Sequence, residues 1–122
     1  RALLKVMENP YVDIIGHPGD PRYAVDFKEV FRQAKETGTL LEINNASLIP
    51  GGFRDGSQEN VRDILCMSME EGISVVLGSD AHFYTGIGDH SHSLSLLKEV
   101  GFPEELVLNT DPARFLAALK KR

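Results

Sequence analysis

The sequence predicts an α/β fold with parallel strands, and two observations carry that prediction. Short apolar segments alternate with amphipathic helical segments along the chain, the pattern of strands covered on both faces by crossover helices. Ligand-capable side chains collect after the apolar segments and not before them: Gly16-His17-Pro18-Gly19-Asp20, Glu42-Ile43-Asn44-Asn45 and Gly78-Ser79-Asp80-Ala81-His82. That end of the strands is where active sites form, in barrels and in doubly wound sheets alike. Periodicity alone leaves both architectures open.

The elements follow in order. Arg1 to Glu8, with Ala2, Leu3, Leu4, Val6 and Met7 apolar, reads as the last turns of an amphipathic helix with neither a cap residue nor an initiator Met. The chain is therefore expected to be the C-terminal piece of something longer. Asn9-Pro10 ends the helix, because the residue before a proline is pushed out of the helical region. Tyr11 to Ile15 is the first predicted strand. Asp26 to Thr37 sets Phe27, Val30, Phe31 and Ala34 on one helical face, and Gly38 supplies the stop. Thr39 to Ile43 is the second strand. Ser57 is the expected N-cap of a helix running to Glu71, with Val61, Ile64, Leu65 and Met69 facing the core and Gly72 ending it. Ile73 to Leu77 is the third strand, and Ser93 to Val100 a helix stopped by Gly101. Leu106 to Leu108 is a short strand, and Asp111-Pro112 opens a last helix with proline at its first position. Lys120, Lys121 and Arg122 suit the end of that helix electrostatically.

Composition bounds the function. With 122 residues, 42% apolar and 25% charged, the chain is one globular domain or part of one. The net charge of −5 offers no basic patch, so nucleic-acid binding is not expected. A small anionic substrate held through a metal is compatible with that charge. The single Cys66 excludes an internal disulfide and the Cys-rich zinc modules. Between Leu65 and Met67 it is expected to be a buried small hydrophobe. No apolar run reaches the length of a membrane span and no signal pattern is visible, so a cytoplasmic location is expected.

Asp80 and His82 stand two apart, so on extended backbone their side chains leave the same face. A carboxylate and an imidazole placed so can be two ligands of one metal ion. The competing reading is a strand-to-loop turn in which Asp80 caps the next helix. His17, in a Gly/Pro turn, could equally bond only to backbone. Together the three make an N, O, N set suited to Zn²⁺, Mn²⁺ or Fe, and less well to Mg²⁺. Asp89-His90-Ser91-His92 also has the form of a metal motif. It leads from a Gly86-Ile87-Gly88 loop into a helix, and a substrate-facing or solvent-exposed loop is expected for it instead.

Asp13-Ile14-Ile15-Gly16-His17-Pro18, Glu42-Ile43-Asn44-Asn45, Arg54-Asp55-Gly56-Ser57 with Asn60, and Gly78-Ser79-Asp80-Ala81-His82 resemble the later motifs of the PHP (polymerase and histidinol phosphatase) family. The YcdX-like branch is the nearest match. The resemblance covers essentially all of residues 1–122, in order and with similar spacing. It implies the C-terminal half of a distorted (β/α)7 PHP-type barrel with parallel strands, holding up to three metal ions at its mouth. On the matched motifs His17 is implied as a ligand of one metal, Asp80 of a second and His82 of a third. The family's remaining ligands, an early His-x-His among them, belong to the earlier half of the barrel and match no residue here. Glu42 is not the family's bridging Glu and is expected to be a hydrogen-bonded barrel residue.

The implied activity is metal-dependent phosphoester hydrolysis, in which metals make water acidic enough to supply hydroxide and neutralise phosphoryl charge. Arg54 is expected to bind the phosphate as a forked, permanently charged group. Asn44 and Asn45 are expected to line the substrate, and Ser57 and Asn60 to cap and pin their loop. The expected partner is a small phosphorylated substrate. The alternatives are a non-catalytic fragment or accessory PHP module, or a mononuclear amidohydrolase-like hydrolase. A half-barrel would expose unpaired strand edges, so the N-terminal half or an oligomer partner is expected to cover them. The isolated chain is expected to be weak or inactive.

Overall fold

Three parallel strands form the centre of the computed structural model, whose described residues are 1–121. They are β1 (Ile14–Ile15), β2 (Leu40–Asn44) and β3 (Val75–Gly78), in the order β1-β2-β3. Ile14 lies opposite Leu40, and the second pairing runs from Leu41 opposite Val75 to Asn44 opposite Gly78. The helices are α1 (Ala2–Met7), α2 (Phe27–Thr37), α3 (Gln58–Glu71), α4 (Ser91–Val100) and α5 (Pro112–Ala118). α2 and α3 are the crossovers that parallel neighbours require. The α/β class and the parallel sense of the strands are as expected.

The helices begin and end where local chemistry directs. The Asp26 carboxylate accepts from the N–H groups of Lys28 at 3.1 Å and Glu29 at 3.4 Å, opening α2. Gly38 closes it in the left-handed conformation, φ +69°, which glycine adopts without steric cost. Asp111 caps α5 in the same way through Ala113 and Arg114. Val30, Phe31 and Ala34 of α2 and Val61, Ile64 and Leu65 of α3 join Leu41, Ile43 and Val75 of the sheet in one buried core. Each of these side chains larger than Ala34 contributes about 1.5–3 kcal/mol of burial.

Several expectations are corrected. β1 is shorter than Tyr11 to Ile15. The Tyr11 N–H bonds to Asn9 Oδ1 at 2.9 Å and the Val12 N–H to the Asn9 carbonyl at 3.1 Å, so the turn leaving α1 claims those residues. Leu106 to Leu108 is not a strand. It divides between two 3-10 turns, Glu104–Leu106 and Leu108–Thr110, and only Val107 bridges to Val75. Asn109 then takes a strand's place with its side chain, accepting from the Leu77 N–H at 2.7 Å and donating to the Leu77 carbonyl at 2.9 Å. The outer edge of β3 is thus partly closed from within the chain.

Ser57 stands at the N-cap position of α3 but makes no capping bond. Its hydroxyl donates back to the Arg54 carbonyl at 2.7 Å and ties down the preceding loop. Ser68 takes the buried place expected of Met69, its hydroxyl donating to the Ile64 carbonyl at 2.8 Å. Cys66 is half-buried rather than buried. The basic tail does not continue α5, which ends at Ala118. Lys120 crosses to the other end of the chain, its Nζ donating to the carbonyls of Met7 at 2.7 Å and Asn9 at 3.1 Å. It therefore neutralises the C-terminal end of α1. Arg122 lies outside the described residues. Among the described residues, no helix is long and apolar enough to cross a membrane.

Candidate active site at the strand ends

His17 follows β1 with φ +34° and Asp80 follows β3 with φ +53°. Among the described residues no other non-glycine residue has a positive φ. Such a conformation costs of the order of 1–3 kcal/mol and persists only where the surroundings hold it. For His17 the holder is Glu42, on the central strand. The Glu42 Oε2 accepts from the His17 backbone N–H at 2.8 Å and from Asn44 Nδ2 at 3.1 Å. The other arm of that carboxylate lies over β3, where a β-carbon on Gly78 would come within 1.8 Å of Oε1. One carboxylate thus reaches all three strand ends.

A chain of alternating charges runs beside it. Arg54, only 14% exposed, donates from Nη1 to Asp80 Oδ2 at 2.8 Å, and its Nε lies 3.6 Å from Asp20 Oδ2. Asp20, 3% exposed, accepts two-pronged bonds from Arg22: Nε to Oδ1 at 3.0 Å and Nη2 to Oδ2 at 2.6 Å. The bonds from Arg22, aided by the charge of Arg54, hold the Asp20 carboxyl at about 2, against the opposing effect of its burial. For Asp80 burial is the largest influence and pushes upward, yet the bonds from Arg54 and Asn44 prevail and its carboxyl stays below the ordinary value. Asn60 pins the His17 loop from α3, its Nδ2 donating to the Gly19 carbonyl at 3.0 Å.

The remaining expected site residues fall into place around these. The His82 Nδ1 lies 2.9 Å from the Asp80 carbonyl. A carbonyl only accepts, so Nδ1 is the donor in that bond, which leaves Nε2 of the exposed ring outside it. Asn44 and Asn45 sit at the end of β2, each 2% exposed. The Asn44 Oδ1 accepts from the Ser47 N–H and hydroxyl. The Asn45 Oδ1 accepts from the N–H groups of His92 at 2.8 Å and Ser93 at 3.0 Å, capping α4 from a distant strand. His90 and His92 are half-buried at the start of α4 rather than on an open loop.

Among the described residues, no three His, Cys, Asp or Glu side chains converge to hold a metal ion. His17, Asp80 and His82 therefore do not make a three-ligand site by themselves. Singly they fit a metal's needs: His82 has Nε2 outside its bond to the Asp80 carbonyl, His17 is an exposed imidazole, and Asp80 keeps Oδ1 outside its pair with Arg54. Asp20 stood among the strand-end residues by type and position alone, and Arg22 and the bridging position of Glu42 were not legible as site features. Glu42 reaches His17 from another strand and Asp20 reaches Arg54 from another loop, while Arg22 bonds Asp20 locally, two residues away.

No family profile matches the chain. It is similar to a protein named probable phosphatase from Clostridium novyi, 42% identical over 121 residues, 99% of this chain and 49% of the relative. A protein of the same name from Thermoanaerobacter pseudethanolicus is 42% identical over 122 residues, again 49% of its length. One from Caldanaerobacter subterraneus is 44% identical over 110 residues, 90% of this chain and 42% of the relative. The chain thus spans about half the length of curated relatives that carry the name of probable phosphatases.

Proposed function

We propose that this chain supplies part of the active site of a metal-dependent phosphoesterase, with His17, Asp80 and His82 each giving one ligand to a multinuclear centre. The observation that carries this reading is the strained backbone at His17 and Asp80, held at the ends of two strands of one parallel sheet. The likeness to relatives named probable phosphatases supports the same reaction class. Zn²⁺, Mn²⁺ or Fe, when bound, would acidify water and neutralise phosphoryl charge. The chain's own residues position the donors. Glu42 fixes the His17 backbone, Arg54 holds one oxygen of Asp80 and leaves the other to a metal, and Asn44 and Asn45 build the floor of the site.

The missing ligands and a covering for the β1 edge would come from the rest of a PHP-type barrel or from a second copy of the chain, in the cytoplasm. A second reading, an accessory PHP module without activity, is favoured by the lack of any three-ligand group among the described residues. One experiment separates the two. The full gene product, loaded with Mn²⁺ or Zn²⁺, should hydrolyse a generic phosphomonoester, lose that activity to a chelator, and lose it in His82→Ala. Metal-loaded protein with no turnover would favour the accessory module.

A further inference from the structure

The rim of the site carries exposed aromatic rings beside guanidinium planes. Phe53 is 81% exposed and Tyr23 66%. The Arg22 guanidinium lies 4.7 Å from the Phe53 ring centre and 5.8 Å from that of Tyr23, and Arg54 lies 5.9 Å from Phe53. Each cation already faces a carboxylate, Arg22 that of Asp20 and Arg54 that of Asp80. Two guanidiniums against two carboxylates leave this network neutral. What it presents outward is flat surface, fixed in place by the buried Asp20. Rings and guanidinium planes so held are stacking surfaces for another planar group.

Position ties this surface to the site. Arg54 touches Phe53 on one side and bonds Asp80 on the other. Tyr23 lines a cavity of ≈ 370 Å³ whose wall also holds His17 and Asp20, with Leu3, Ile15 and Val25 as its apolar lining. A pocket of that size and polarity accepts a small organic group, not a phosphate alone. We infer that the substrate is a phosphoester whose alcohol side carries an uncharged planar aromatic ring, which stacks against Phe53, Tyr23 and Arg22 while the phosphoryl group lies toward His17, Asp80 and His82. This rests on the phosphoesterase reading above and names its substrate class. Nucleoside monophosphates and aryl phosphates share the chemistry.

The test compares kcat/KM of the Mn²⁺-loaded full gene product for adenosine monophosphate, phenyl phosphate and glycerol 3-phosphate. At least one aromatic ester should be favoured over the glycerol ester by about tenfold or more, the order of one stacking contact. Which one is favoured distinguishes a base from a simple aryl group. Phe53→Ala should lower that aromatic-to-aliphatic ratio about tenfold through KM, and Phe53→Trp should restore it. A wild-type ratio near one, or a ratio that Phe53→Ala leaves intact, overturns the inference. If no phosphomonoester is hydrolysed, the phosphoesterase reading fails separately. Calorimetric binding of adenosine monophosphate and of phenyl phosphate then decides: binding of either, weakened by Phe53→Ala, sustains the stacking surface, and no binding of both, or binding that Phe53→Ala leaves intact, overturns it.

Discussion

The carboxylate of Glu42 fills the space that a β-carbon on Gly78 would need, 1.8 Å from Oε1 and 2.8 Å from Cδ. Glycine at the end of β3 is what lets a side chain from β2 lie across the sheet and reach the His17 N–H. Gly78→Ala should therefore destabilise the protein by about 1–3 kcal/mol, the cost of overpacking. Adding Glu42→Ala should recover part of that loss, because the clash and its source are one contact. Urea denaturation of both single variants and the double variant measures the coupling, and strict additivity would contradict it.

Arg54 is the joint between the His17 loop and the end of β3. Arg54→Met leaves Asp80 and the buried Asp20 without its charge, and should cost about 2 kcal/mol, less than a fully buried pair because Asp80 is 26% exposed. Arg54→Lys should recover only part, since an ammonium lacks the fork that lets one group face two carboxylates. Thermal melts of the two variants give the comparison, and equal stability of Lys and Arg would argue against the fork.

Asp20 sets an acid limit on the fold. Its folded carboxyl lies at about 2, below its ordinary 3.8, so the ionised form favours folding. That contribution is complete above about pH 4 and is lost as the pH falls toward 2. Asp20→Asn should flatten the stability–pH curve between those values and leave its slope above pH 5 alone. An unchanged acid limb would show that Asp20 is not responsible.

Asn45 caps α4 from another strand, through the N–H groups of His92 and Ser93. Asn45→Ala should cost about 1–2 kcal/mol and speed amide exchange at those two residues. Exchange confined to other parts of α4 would refute the cap.

The helices were legible where their signals are local. Asp26, Gly38, Gly72, Gly101 and Asp111-Pro112 each act on backbone within a few residues, and each bounds a helix where expected. Residues whose partners are distant in sequence were not. The hydroxyl of Ser57 is claimed by a carbonyl behind it, Lys120 serves a helix at the opposite end of the chain, and Asn109 replaces a strand with a side chain. The site divides along the same line. His17, Asp80 and His82 announce themselves by residue type and by position after an apolar run. Glu42 and Asp20 act on His17 and Arg54 through contacts distant in sequence that pattern alone does not reveal, whereas Arg22 acts locally, on the Asp20 two residues before it.

The central claim is that His17, Asp80 and His82 serve a multinuclear centre, each on its own metal. Metal content and phosphomonoester turnover of the full gene product, measured together in His17→Ala, Asp80→Ala and His82→Ala, test it most directly. Each variant should lose about one bound ion and at least about a hundredfold in kcat/KM while keeping the wild-type fold by circular dichroism. Wild-type metal content and turnover in all three folded variants would contradict it.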